Sequence, residues 1–149
     1  MTKFLLSLHV IAAIVAVGPV TVAASMFPPA ARRALAAPDD SQAAGTVRLL
    51  HRICRVYAAV GIAVPVFGFA TATAMGVMGD AWLIVSVALT TLAAIVLVVL
   101  VLPRQETLVE GSGTRAVTAR LAMFTGMFNL LWATVTVLMI VRPGSTTGA

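Results

Sequence analysis

The chain has 149 residues, of which 60% are hydrophobic and only 10% charged, with a formal net charge of +5. An ordinary globular domain carries about 25% charged residues, so this composition excludes one, and four long apolar runs leave no length for a separate soluble catalytic domain. Ten Lys and Arg stand against five acids, and no basic stripe interleaved with aromatics points to nucleic acid, so the excess reads as orientation chemistry.

The first run, Phe4–Phe27, is long enough for a helix to cross a bilayer core of about 30 Å, which takes roughly 20 residues. Its alternative reading is a signal peptide, with Lys3, the breaker Gly18-Pro19 and a small-residue site at Val22-Ala23-Ala24-Ser25. Cleavage there would leave the later helices oriented against their charge. Pro28-Pro29 is expected to stop helix one. Loop 28–55 then holds a short turn at Ala30–Ala37, a turn with a helix cap at Pro38-Asp39-Asp40-Ser41, and a helix from Gln42 leading into helix two. Helix two is expected over Val56–Met78 and helix three over Ala81–Leu102, joined by a short hairpin. A polar linker, 103–120, precedes helix four at Leu121–Val141, and the tail Pro143–Ala149 is expected to be unstructured. The backbone must bond internally in lipid, and the runs lack the alternation of barrel strands, so helices are required. The predicted fold is an all-α, integral membrane four-helix bundle forming a single domain over residues 1–149.

The basic residues sort by side. Arg32, Arg33, Arg48, Arg52 and Arg55 lie in the first long loop, and Arg104, Arg115 and Arg120 in the second. Only Lys3 and Arg142 fall on the other side. The positive-inside rule therefore places both long loops in the cytoplasm and both termini outside. Arg48, Arg52 and Arg55 recur at helical spacing and suit contact with anionic headgroups, although a solvated, topology-setting face explains them as well. Cys54 has no second cysteine with which to pair.

Lipid is as apolar as Leu, so helices must be held by close packing through small residues. Helix two carries Ala58, Gly61, Pro65, Gly68, Ala72, Gly76 and Gly79 on one face. Helix four carries Ala122, Gly126, Asn129, Ala133 and Thr136. Helix three offers Ser86, Thr90 and Ala93, and helix one His9, Ala13, Ala16 and Val20. The bulky face of helix four, Leu121, Phe124, Phe128, Leu131, Val135 and Leu138, is expected to meet lipid or a partner subunit. Pro19 and Pro65 free the carbonyls of Val15 and Gly61, and Asn129 is expected to donate to Val15 or to a neighbouring helix. Asn129 reads as glue between helices, or else as the lining of a solute path.

Chemistry is constrained mostly by exclusion. A proton-coupled drug exporter needs a membrane carboxylate, yet Asp39, Asp40, Asp80, Glu106 and Glu110 all fall in loops or turns. Disulfide generation needs paired cysteines, a di-haem cytochrome four axial histidines, and an intramembrane aspartyl protease two membrane Asp. The chain has one Cys and two His. His9 is the exception within a membrane run. It reads as a buried hydrogen-bonding residue or as a ligand for haem, a metal or a quinone. His51 lies about 27 Å away along the bundle, so the two cannot bracket one haem. No metal site is expected: Met75 and Met78 share a face without a third soft ligand.

Phe4-Leu5-Leu6-Ser7-Leu8-His9-Val10-Ile11-Ala12-Ala13, followed by Val17-Gly18-Pro19, resembles the opening of a family of small bacterial four-helix integral membrane proteins of unknown function. It is more loosely similar to the membrane domains of copper-resistance D proteins. That second resemblance implies metal or haem handling, carried here by His9 alone. The leading expectation is a non-enzymatic multi-pass protein of the bacterial inner membrane, an accessory or assembly subunit or a homo-oligomer. It would have lipid and other membrane subunits as partners and neither nucleic acid nor a cofactor. The alternatives are an electron-transfer subunit binding haem b or quinone through His9, and a transporter or channel for an uncharged solute.

Overall fold

The computed structural model describes residues 1–144, and among them the only regular structure is helical, with turns between the helices and no strand. Most of the expected unstructured tail, 145–149, lies outside the described residues. Six α-helices, α1 (Thr2–Ala36), α2 (Ser41–Val60), α3 (Ala63–Met75), α4 (Ala81–Ile95), α5 (Leu102–Val109) and α6 (Arg115–Val141), and one π-helical segment (Val96–Val101) make four long rods. The second rod is α2 with α3, and the third is α4, the π segment and α5. All four are long and apolar enough to cross a membrane.

The rods outrun the apolar runs at the arginine-rich end. Pro28 and Pro29 do not stop α1, which continues to Ala36. Phe27, Pro28 and Ala31 are buried there, in α1's extensive packing on α2. That contact outweighs the lost helical hydrogen bonds. The long first loop shrinks to Ala37–Asp40, whose cap forms as expected: Asp40 Oδ1 accepts from the amides of Gln42 and Ala43 at 3.0 and 3.3 Å.

The second long loop likewise shrinks to Glu110–Thr114. Pro103 sits in the first turn of α5, directly after the π segment, whose wider turns send the Leu102 amide to the Leu97 carbonyl. The helix thus passes the proline without stopping.

The second rod breaks at Gly61–Ile62. Pro65 cannot supply an amide to the Gly61 carbonyl, and the Val64 amide takes that place at 3.1 Å. The turn Gly76–Asp80 is short, but the helices it joins pack on different neighbours, α3 on α1 and α4 on α6.

The helix four expectation is reversed within the chain. Leu121, Phe128 and Val135 are buried, while Ala122, Gly126, Ala133 and Thr136 face outward. The reason is complementarity of size. Helix α1 offers Ala16, Ala23 and Ala24 as buried small residues, and close packing against them calls for bulky partners. The main core gathers Phe27, Val101 and Leu121, all fully buried, with Val47, Leu50 and Phe128. A smaller cluster of Ala72, Val77, Trp82 and Leu83 closes the opposite end. Ile14, Ile62, Ile84, Leu130 and Ile140 are exposed on the outer faces.

Candidate functional site

Three groups of polar side chains are candidates for a site. The first is His9, half-buried on α1. Its Nδ1 lies 2.9 Å from the Val64 carbonyl, which can only accept, so Nδ1 donates; in a neutral ring the lone pair is then on Nε2. Gly68 makes room for the ring: a Cβ there would meet His9 Cε1 at 3.0 Å and Nδ1 at 3.2 Å. The glycine expected in a helix seam is therefore a close approach to one imidazole. The other expected seam residues divide. Ala72 is buried and Gly61 half-buried, whereas Pro65 and Gly76 are exposed. Gly76 instead caps α3 in the left-handed region, at φ 71°.

The second place is the contact of α1 with α6. Asn129 Nδ2 donates to Ser25 Oγ at 3.1 Å, rather than to the Val15 carbonyl. Thr21 and Ser25 share a face of α1, and Thr125, Asn129 and Trp132 share one of α6. On these two helices the buried atoms Thr21 Oγ1, Thr125 Oγ1, Asn129 Oδ1 and Trp132 Nε1 have no hydrogen-bond partner among the described residues.

The third place is the arginine-rich end. His51 Nδ1 donates to Gln105 Oε1 at 3.0 Å, and Gln105 Nε2 donates to Cys54 Sγ at 3.6 Å. Gln105 is fully buried and ties α5 to α2. In the sequence it falls within the expected polar linker 103–120. The signal that finds it is register, since Leu97, Val101, Gln105 and Leu108 follow at steps of four and three, all buried. Beside this latch is a cavity of about 500 Å³ lined by Arg48, His51, Arg52, Arg55, Val56 and Val109. Arg48, Arg52 and Arg55 are exposed. Nearby Arg104 is occupied, donating to the Leu100 carbonyl at 2.9 Å with its guanidinium 4.6 Å from the Phe124 ring centre.

The two histidines are thus bound to different elements, α3 and α5. Among the described residues, no three His, Cys, Asp or Glu side chains come together as a metal set. No protein-family model, curated protein or solved structure matches the chain.

Proposed function

We propose that the chain is a non-enzymatic multi-pass membrane protein that works by assembly, with other membrane chains or with copies of itself, in a bacterial inner membrane. The observation that carries this reading is the outward face of α6. Ala122, Gly126 and Ala133 leave the helix backbone open there, and a Cβ added at Gly126 meets nothing within 4 Å. Lipid does not require such a groove, whereas a close-packed second helix does. The absence of a membrane carboxylate from the sequence supports a non-catalytic role.

The test uses two differently tagged copies in one membrane, extracted in mild detergent. Recovery of the second copy, or of another membrane chain, is expected from the wild type. Gly126→Leu finds open space in the single chain, so the protein should stay folded while the association is lost. A strictly monomeric wild type, or association indifferent to Gly126→Leu, overturns the reading.

A second reading, a haem- or quinone-binding electron-transfer subunit, is favoured by one observation. The Nδ1–H of His9 is held by the Val64 carbonyl, the arrangement that fixes the tautomer of a ligating histidine. One imidazole supplies one axial position, and the other would come from a neighbouring chain. A Soret band after haem supplementation, lost in His9→Ala, is the expected result. A featureless spectrum removes the haem version.

A further inference from the structure

The cavity at the arginine-rich end is used by neither reading above. Arg48, Arg52 and Arg55 follow one another at four and three residues on α2, so three like charges stack on one helix face. Such neighbours repel. Among the described residues, no carboxylate pairs with them and no side-chain hydrogen bond occupies their guanidiniums. Glu106 and Glu110, on and just after α5, are exposed and form no ion pair with them. The cavity floor is different in kind. His51 is only 8% exposed, and its Nδ1 is committed to Gln105, so the opposite edge of the ring is the one left for a ligand. The latch through Gln105 and Cys54 fixes that ring and ties α5, which carries Val109, to α2. Val56 and Val109 give the cavity an apolar wall beside its cationic rim.

We propose that Arg48, Arg52, Arg55 and His51 form a binding site for the phosphate of an anionic phospholipid. Guanidiniums hold phosphate oxygens in bidentate fashion and keep their charge at any physiological pH. The cavity is open to the surface rather than enclosed, and its volume of about 500 Å³ is of the size of small-ligand sites. An apolar wall beside a cationic rim fits the junction of a headgroup with its acyl chains, where a soluble phosphate would gain nothing from Val56 and Val109. The site stands independently of the assembly face on α6.

The full chain, purified in neutral detergent, is titrated with phosphatidylglycerol, phosphatidylcholine and inorganic phosphate, with bound lipid counted by native mass spectrometry. Saturable binding of phosphatidylglycerol is expected, and phosphatidylcholine should bind far more weakly. Each arginine is worth about fivefold near an anionic surface, so the triple variant Arg48→Gln, Arg52→Gln, Arg55→Gln should lose binding on the order of a hundredfold. A control, Arg32→Gln with Arg33→Gln, removes charge at the same end outside the cavity and should keep the binding. Inorganic phosphate that binds as tightly as the lipid, with the same arginine dependence, keeps the anion site but overturns the lipid as its source. Equal binding of phosphatidylglycerol and phosphatidylcholine overturns the site itself. So does a triple variant no weaker than the control.

Discussion

A glycine and a histidine 59 positions apart in the sequence are bound into one small geometry. His9 donates to the Val64 carbonyl at 2.9 Å, and Gly68, one helical turn further along α3, faces the ring with no Cβ. A methyl group at Gly68 would press on His9 Cε1 and Nδ1 at 3.0 and 3.2 Å. That is tighter than ordinary contact, so the ring must give by a few tenths of an ångström, against the hydrogen bond that holds it. Gly68→Ala should therefore lower thermal stability in detergent by about 1–3 kcal/mol, the usual range for overpacking. In a His9→Ala background the obstacle is gone, and Gly68→Ala should cost little or even stabilise the helix. Residues in contact are non-additive in this way. Additive effects of the two substitutions would show that the glycine is there for another reason. The same comparison bears on the ligand reading, because a ring displaced by Gly68→Ala should also lose any haem spectrum.

At the scale of the elements, the four apolar runs were legible because hydropathy alone sets which segments can be buried in lipid. Their ends were not. Pro28-Pro29 and Pro103 are breakers by local chemistry, yet α1 runs on to Ala36 and the third rod to Val109. Tertiary packing decides both cases, through Phe27 and Ala31 in one and Val101, Gln105 and Leu108 in the other, all buried. The same blind spot hid the Gln105 latch, since a residue assigned to a loop has no face. The α6 expectation reversed for a related reason: small residues mark close approach without saying whether the neighbour belongs to the same chain. By contrast, the shared face of Arg48, Arg52 and Arg55 followed from spacing, which a helix preserves, and His9, singled out as an ionisable group in an apolar run, does make a hydrogen bond, though it is half-buried rather than buried. The proline reading has a direct test in Pro29, which is exposed where Pro28 is buried. Pro29→Ala restores an amide to the Ser25 carbonyl and removes the ring that crowds it. Since proline in a helix interior costs about 3 kcal/mol relative to alanine, the variant should melt higher. A lower melting point would mean that the prolines set a bend on which the α1–α2 contact depends.

The molecule as a whole is lopsided in charge and in length. Helix α1 has 35 residues, about 50 Å at 1.5 Å per residue, against a bilayer core of about 30 Å. The excess falls where Arg32, Arg33, Arg48, Arg52 and Arg55 lie. The opposite end is compact: Trp82 Nε1 donates to Asp80 Oδ2 at 3.1 Å, and the Arg142 guanidinium sits 5.6 Å from the Trp82 ring centre. A tryptophan pinned between a carboxylate and a guanidinium suits a membrane–water boundary, where one side of the ring stays apolar and its N–H stays wet. By the positive-inside rule this charge asymmetry predicts the direction of insertion, and we propose the long arginine-bearing ends in the cytoplasm and the Gly76–Asp80 turn outside. Two single-cysteine proteins on a Cys54→Ser background test this. Gly79 is exposed, and a side chain there meets nothing within 4 Å; Ser112 is exposed in the turn before α6. A membrane-impermeant maleimide added to intact cells should label Gly79→Cys. It should reach Ser112→Cys only after the membrane is opened. The reverse pattern would place the three free arginines outside, away from the negatively charged cytoplasmic leaflet. Labelling of both positions in intact cells would mean that the chain inserts in two orientations, and that eight arginines against Lys3 and Arg142 are not enough to choose between them.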